Sequence, residues 1–201
     1  MADEDRIEEK ADEELAREAR AGSRRSFDVL ACRYKRRLFV YLRPRLASDQ
    51  DAEDLVQETF LKLFRNIGSY DPAYRFSTWL YTSASRLAID SFRKRAVERE
   101  RLIAARERGL PDLASDGEGE VGASGVWDVA RTLGADRYRV LWLRYGEDMT
   151  VEEIAAVLGR SRLAVRVLLH RARTSLVGRL GPDAPCAVRT RPDAARQAAG
   201  D

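Results

Sequence analysis

The stretch from 150 to 180, TVEEIAAVLGRSRLAVRVLLHRARTSLVGRL, constrains the fold more than any other part of this sequence. Thr150 followed by Glu153 is the pattern of a capping box, in which each side chain bonds to the backbone of the other residue at a helix start. Gly159 supplies the permissive backbone of a tight turn, and Ser161 is suited to cap a second helix. The apolar seam of the two helices consists of Ile154, Ala155, Leu158, Val165, Leu169 and Ala172. The stretch therefore predicts a helix-turn-helix.

The second helix of this motif carries charge of one sign. It holds six arginines and one histidine but no acidic residue, namely Arg160, Arg162, Arg166, Arg171, Arg173, Arg179 and His170. A positive field of this kind suits a phosphate backbone, so we predict a DNA-recognition helix. The alternative is a solvated basic face on an ordinary helical hairpin. That interpretation is weaker because acidic and basic residues normally alternate on such faces.

Charge is segregated along the chain, although the formal net charge of its 201 residues is only +3. Residues 1–20 hold nine acids against four bases, whereas residues 33–45 hold six bases and no acid. The length permits one medium domain or two small ones. No apolar run approaches the roughly 20 residues that cross a bilayer, and the N-terminus is acidic rather than signal-like. We expect a cytoplasmic protein without membrane insertion.

Cysteine and histidine form no metal or disulfide pattern. Cys32 and Cys186 lie far apart, and the single histidine, His170, has no second ligand within sequence reach. Cys32 falls in an apolar helical pattern, which favours a core position. The sequence also lacks a glycine-rich phosphate loop, a nucleophile elbow and an HExxH motif. We therefore expect no metal, no cofactor and no enzymatic activity.

Helix signals organise the first half of the chain. Residues 3–21 are compatible with a solvated helix or with no fixed structure. Ser23 is suited to cap a helix running to about Leu46, which Pro44 ends or kinks. Its inner face consists of Phe27, Leu30, Ala31, Tyr34, Leu38 and Tyr41 or Leu42. The core stripe of the next helix, capped by Ser48 or Asp49, consists of Val56, Phe60, Leu63 and Ile67, widened by Leu55, Leu61 and Phe64.

A polar patch on that helix is not explained by the core. Asp54, Gln57 and Glu58 are spaced i, i+3, i+4 and are therefore displayed together on one face. Helix capping and solubility account for the neighbouring acids Asp51 and Glu53. They account less well for a patch that extends to Glu58. The residues alone leave the role of this patch open.

An aromatic loop follows, with the sequence YDPAYRF at 70–76. Three aromatic rings beside an arginine suit unstacked bases, which lie on ring faces while the guanidinium holds a phosphate. The alternative is that Phe76 and one of the tyrosines are core residues. A third helix is predicted from Ser77, and its second half carries the basic residues Arg86, Arg93, Lys94 and Arg95.

The glycine-rich, acidic segment between the two halves predicts a flexible linker, because it has no periodicity. Two short helices, at 126–133 and 136–145, are expected to pack beneath the helix-turn-helix. The fold class is therefore all-α, with two small helical domains joined by a flexible acidic linker. The expected divisions are an N-terminal extension, a first domain, the linker, a second domain and a disordered tail, at 1–22, 23–105, 106–125, 126–180 and 181–201.

Two segments resemble parts of bacterial sigma factors. The run from DAEDLVQETF to SFRKR, residues 51–95, resembles region 2, and residues 137–173 resemble region 4. Because only a short linker stands where a region 3 domain would lie, residues 23–180 are similar to the extracytoplasmic-function (ECF) group of the sigma-70 family. The resemblance implies an RNA polymerase subunit that directs promoter recognition and DNA opening. It also implies an anti-sigma factor as a restraining partner.

The resemblance assigns roles to the motifs above. It implies that Asp54, Gln57 and Glu58 bind the coiled coil of the β′ subunit of core RNA polymerase, with the β flap as a further contact. Melting of the minus-ten promoter element and capture of a flipped base fall to Tyr70, Tyr74, Arg75, Phe76, Trp79, Arg86, Asp90, Arg93 and Lys94. Binding of the minus-35 element in the major groove falls to Arg160, Ser161, Arg162, Arg166, Val167, His170, Arg171 and Arg173.

Two departures from the family pattern affect specificity. Arg86 stands where the family often has asparagine, so the minus-ten preference does not carry over. Val167 and Leu168 replace a common polar pair in the recognition helix, which leaves the neighbouring arginines and His170 as the polar contacts. These apolar residues suit contact with thymine methyl groups or the binding surface of an inhibitor.

Two other functions remain open from the residues. A free-standing helix-turn-helix regulator would use residues 23–105 for sensing or dimerisation and would bind a palindromic operator without polymerase. In the second alternative function, the first domain is only a protein-interaction module and DNA binding is vestigial. A gel shift with and without core polymerase separates the regulator from a sigma factor.

Overall fold

A computed structural model describes residues 7–106 and 125–180, and this part of the chain is helical and contains no β-strand. The first domain contains helices α1 (Asp12–Arg20), α2 (Arg24–Leu42), α3 (Asp49–Arg65) and α4 (Phe76–Arg106). The second contains α5 (Val126–Arg131), α6 (Ala135–Leu141), α7 (Val151–Leu158) and α8 (Arg162–Leu180). The predicted all-α fold of two helical domains is confirmed. Most of the predicted linker, and all of the predicted tail, lie outside the described residues.

The N-terminal segment, for which the sequence left two possibilities open, forms helix α1 and packs on α2. Its Leu15 and Ala16 are fully buried. Polar contacts at its ends reinforce the packing, since the Tyr34 hydroxyl donates to Asp12 at 2.5 Å and the Ser26 hydroxyl donates to Glu18 at 2.7 Å. Helix α1 is therefore a packed part of the first domain and not a solvated extension.

Helices α2, α3 and α4 form the remainder of the first domain. The predicted caps are present, because Ser23 accepts a hydrogen bond from the Ser26 amide at 3.3 Å and Ser48 accepts one from the Asp51 amide at 3.1 Å. Helix α2 ends at Leu42, and Pro44 lies in the 3₁₀ turn that follows. The buried residues of α2 include Phe27, Leu30, Tyr34, Leu38, Tyr41 and Leu42, as predicted.

Three apolar positions of this domain are not in the core. The prediction that Cys32 is a core residue is wrong, because its side chain is exposed on α2. Leu61 and Phe64 on α3 are also exposed, although the stripe of this helix was expected to extend to them. The buried stripe of α3 is narrower and is completed by α2 and α4, so that residues on its flanks remain at the surface.

The helix-turn-helix has the local geometry predicted from its sequence. Glu153 accepts from the Thr150 amide at 2.8 Å, and the Glu153 amide donates to the Thr150 hydroxyl at 3.2 Å, which completes the capping box. Gly159 ends α7 in the left-handed region, at φ +62°. Ser161 begins α8 by accepting from the Ala164 amide at 3.2 Å. The buried seam of α8 consists of Val165, Leu169, Ala172 and Leu176.

The helices beneath this motif are shorter than expected. The predicted helix at 136–145 is α6 followed by one π-helical turn, Trp142–Gly146.

Among the described residues, no helix combines the length and the apolar character that crossing a bilayer requires.

The packing of α1 predicts the outcome of one truncation. Leu15→Ala removes a fully buried side chain and should lower the free energy of unfolding by about 2–4 kcal/mol, measured by urea denaturation. Leu61→Ala is the matched control, because Leu61 is 56% exposed and its truncation should cost little. If both variants unfold at the same urea concentration as the unaltered protein, α1 does not contribute to the folded domain.

Candidate polymerase and DNA interfaces

The polar patch on α3 is at the surface. Asp54, Gln57 and Glu58 are all exposed on consecutive turns of the helix, and the Gln50 amide donates to Asp54 at 3.1 Å. Beside it lies an apolar groove of about 430 Å³ between α2 and α3, to which Gln57 also contributes. The aromatic part of the groove includes Phe27, Phe60 and Phe64. The surface therefore combines carboxylates with an unfilled apolar strip, which suits a basic, amphipathic partner helix.

The aromatic loop is divided between the core and the surface. Tyr70 and Phe76 were expected to contact DNA, but both are buried. The Tyr70 hydroxyl donates to the Tyr74 carbonyl at 2.8 Å, and burial raises the pKa of Tyr70 to about 12. A buried ring has no free face for a base, so the assignment of both residues to DNA binding is corrected to a core role. Tyr74, which is 65% exposed, and the half-buried Trp79 remain available for contact.

The other minus-ten candidates lie along α4. Arg86, Asp90 and Arg93 are exposed and share one face of the helix at spacing i, i+4, i+7. The side chain of Lys94 lies outside the described part of α4. The face therefore carries mixed charge, with one arginine on each side of the Asp90 carboxylate.

The recognition helix α8 presents most of its candidate residues to solvent. Arg166, Val167, His170 and Arg171 are exposed, whereas Arg173 is half-buried. The remaining candidates have contacts within the domain: Arg160 with Asp136 at 2.7 Å, Arg162 with Glu152 at 3.6 Å, and Ser161 with the Ala164 amide. Both arginine pairs are at the surface, where such contacts are weak and exchange readily with phosphate.

No group of three or more histidine, cysteine or acidic side chains is placed to hold a metal ion among the residues that the structure describes. His170 lies on the exposed side of α8.

No sequence pattern indicated the polar contacts that join the two domains. Glu147, in the turn before α7, has a fully buried carboxylate. Arg37 of α2 donates to its two oxygens at 3.0 and 2.7 Å, and the Tyr81 hydroxyl of α4 donates to it at 2.6 Å. A second buried cluster lies nearby, where Arg139 of α6 donates to the Tyr41 hydroxyl at 2.7 and 2.9 Å. Helices from both domains therefore share two desolvated polar contacts.

This arrangement occupies part of the minus-ten surface. Arg75, one of the candidate DNA contacts, donates to the Asp148 carbonyl at 3.2 Å. The hydroxyl of Thr78 donates to Glu153 at 3.0 Å, so the start of α4 packs against the capping box of the helix-turn-helix. In this structure, Arg75 is thus held by the second domain.

Burial dominates the ionisation of Glu147. Desolvation raises the pKa of its carboxyl above the ordinary value, although hydrogen bonds from Tyr81 and Arg37 act in the opposite direction. For the ionised carboxylate, the free energy lost on leaving water is therefore larger than the free energy gained from the hydrogen bonds of Tyr81 and Arg37.

The fold and these surfaces define a two-domain, helix-turn-helix DNA-binding protein, and family comparison identifies its class. Residues 30–97 match the model of sigma-70 region 2, and residues 126–176 match that of sigma-70 region 4. The RNA polymerase sigma factor CnrH of Cupriavidus metallidurans is 32% identical over 186 residues, which cover 87% of this chain and 97% of CnrH. The ECF sigma factor BldN of Streptomyces coelicolor is 30% identical over 85% of this chain and 66% of BldN.

Solved structures agree with this assignment. The structure of CnrH in complex with the cytosolic domain of CnrY has a TM-score of 0.59 and 27% identity, over 87% of this chain and 100% of that one. The fold is also that of the sigma factor RpoE from Bartonella quintana, solved with the anti-sigma factor NepR, at a TM-score of 0.56 and 20% identity over 78% of this chain and 98% of that one. The chain belongs to the sigma-70 family and is an ECF-type RNA polymerase sigma factor. A free-standing regulator is not favoured.

The raised pKa of Glu147 predicts a pH-dependent domain contact. We call the arrangement in which Glu147 is buried between the two domains the closed arrangement. It binds the carboxyl proton more tightly than an open arrangement in which the carboxyl is solvated. The closed arrangement is therefore most favoured below the ordinary pKa of 4.5, and it weakens as pH rises through the raised pKa. Energy transfer between dyes on Cys32 and on a Thr174→Cys variant that also carries Cys186→Ser should therefore fall as pH rises above the ordinary carboxyl value of 4.5.

Glu147→Gln keeps an oxygen acceptor for Arg37 and Tyr81 without the charge, and it should abolish this pH response. Glu152→Gln, at an exposed position of α7, should leave it unchanged. An identical pH response in Glu147→Gln and the unaltered protein would contradict the role of Glu147.

Proposed function

We propose that the first domain binds core RNA polymerase through Asp54, Gln57 and Glu58 on α3. The observation that carries this proposal is that all three side chains are exposed beside an apolar groove, where neither capping nor the core explains them. The proposed partner of this surface is the β′ coiled coil. We propose that the second domain makes a further contact with the β flap. Because α1 packs on α2, we place the start of the first domain at the start of α1 and not at residue 23.

We propose that opening of the minus-ten element depends on Tyr74 and Trp79 with the face of α4. Tyr74 is exposed, and Trp79 lies against Tyr70 with ring centroids 5.4 Å apart. Arg75, Arg86, Asp90, Arg93 and Lys94 provide the polar contacts of this surface. Capture of an unstacked base offsets an unstacking cost of a few kcal/mol without covalent chemistry. The protein thus acts by binding and not as an enzyme.

We propose that the second domain, 126–180, binds the minus-35 element with α8 in the major groove. Support comes from the absence of acidic residues between 160 and 180 and from the exposure of Arg166, His170 and Arg171. Arg160, Arg162 and Arg173 are placed to reach the flanking phosphates once their surface contacts exchange. The segments at 106–125 and 181–201 are proposed to be a linker and a tail.

A restraining partner is also proposed. CnrH was solved with the cytosolic domain of CnrY, and RpoE with the anti-sigma factor NepR. The apolar groove beside Gln57 offers an anti-sigma factor a surface next to the proposed polymerase contact. An inhibitor bound there would exclude the polymerase by direct overlap.

Charge reversal on α3 tests the polymerase contact. Glu58→Lys and Asp54→Arg should each weaken binding to core polymerase by about tenfold or more while the fold is retained, because a like charge then faces a basic partner. Fluorescence titration of labelled protein with core enzyme gives the dissociation constant. Glu9→Lys, an exposed reversal before α1, is the control. Unchanged affinity in both α3 variants rejects this surface.

Salt dependence tests the DNA contact of Arg166. Arg166→Ala should weaken holoenzyme binding to duplex promoter DNA and reduce the slope of log affinity against log salt by about one unit, if one phosphate contact is lost. Arg20→Ala removes an exposed arginine of α1 and should leave the slope as it was. A slope that does not change in Arg166→Ala means that Arg166 contacts no phosphate.

A further inference from the structure

Phosphate contacts do not explain the two most exposed large apolar residues of the recognition helix. Leu163 is 71% exposed and Val167 is 43% exposed. The two are spaced i, i+4 and therefore adjoin on one face of α8. Ala164, beside them, is also exposed. An apolar strip in this position costs solubility unless it is covered in use.

The strip lies on the outermost line of the helix. At about 100° per residue, Leu163 and Val167 fall opposite the buried seam of Val165, Leu169 and Ala172. A recognition helix enters the major groove with the side opposite its packed face, and its N-terminal residues contact the base edges. Helix α8 begins directly after its cap at Ser161, so the strip occupies its first two turns.

The polar residues beside the strip, which include one arginine on each side, indicate what it binds. Arg166 and His170 lie on one side of it and Arg171 on the other, and all three are exposed. No acidic residue lies between 160 and 180. An apolar centre between two cationic edges matches the major groove, which has a floor of base edges between two phosphate walls. A protein helix has no such pair of negative walls.

We propose that Leu163 and Val167 select thymine in the minus-35 element by contact with its 5-methyl group. The proposal rests on the proposed binding of α8 in the major groove. Thymine is the base that presents a methyl group there, and apolar side chains distinguish it from the other bases by that group. The strip has the length of two adjacent residues on a helix face and therefore fits methyl groups on neighbouring base steps.

Replacement of thymine by deoxyuridine tests this contact, because it removes the methyl group and leaves the hydrogen-bonding edge unchanged. Holoenzyme made from the full chain and core polymerase first selects its upstream element from duplexes of random sequence. Each thymine of the selected element is then replaced in turn. One or two neighbouring replacements should weaken binding by about three- to fivefold each, as expected for a buried methyl group.

Protein variants test the same contact from the side of the helix. In Val167→Ser and in Leu163→Ser, replacing the thymine whose methyl group the altered residue contacts by deoxyuridine should no longer weaken binding. Arg166→Ala should weaken binding to both duplexes but keep the difference between them. Tyr145→Ser, which changes an exposed apolar residue outside α8, should keep both affinity and discrimination. Helix content and melting temperature, measured by circular dichroism, establish that the variants are folded.

Three results would overturn the proposal. They are a selected element without thymine, equal binding of all deoxyuridine duplexes by the unaltered protein, and an unchanged methyl effect in both serine variants. If Arg166→Ala still alters the salt slope in these cases, binding of α8 to DNA stands and only the methyl contact fails. If the serine variants lose binding to an anti-sigma factor but keep thymine discrimination, the strip binds protein.

Discussion

Burial of Glu147 between the two domains is the interaction on which the placement of the functional surfaces depends. Its carboxylate is held by Arg37 and Tyr81 of the first domain, and the Tyr41 hydroxyl accepts from Arg139 of the second. Polar contacts of this kind are weak evidence for stability, because desolvation offsets much of their energy. They do favour one orientation, since a packing that buries the carboxylate without its partners leaves the charge uncompensated. The closed arrangement is thus specific without being strongly stabilised.

The closed arrangement and the proposed promoter contacts are not compatible at the same time. The two promoter elements are about 25 base pairs apart, which is roughly 85 Å of B-form DNA at about 3.4 Å per base pair. A domain the size of residues 125–180 is only about 25 Å across. Since Arg75 contacts Asp148 of that domain, α8 lies far closer to the minus-ten loop than the DNA requires. On the proposed assignment, the domains separate before both elements are bound.

Local chemistry made much of this fold predictable, and long-range packing accounts for what was missed. The capping box at Thr150, the turn at Gly159 and the seam of α8 depend on residues close in sequence, so spacing was sufficient. Whether an apolar side chain is buried depends on neighbouring helices. Tyr70 is buried because α4 turns back over it, whereas Cys32 and Leu61 are exposed because no described helix covers them. Glu147 sits in a turn where an acid is ordinary, so no sequence signal distinguished it.

For the surface residues too, some were predictable from the sequence and others became visible only with the packing of the helices. The sequence identified Asp54, Gln57 and Glu58 because they had no structural explanation, and the structure leaves them exposed beside an apolar groove. The resemblance to sigma factors placed Val167 among the minus-35 contacts, but no sequence pattern pointed to its partner Leu163. Their shared position opposite the packed seam becomes visible once Val165 and Leu169 are known to be buried. Arginines hold a helix in the groove of any DNA, so discrimination between bases has to come from the side chains between them.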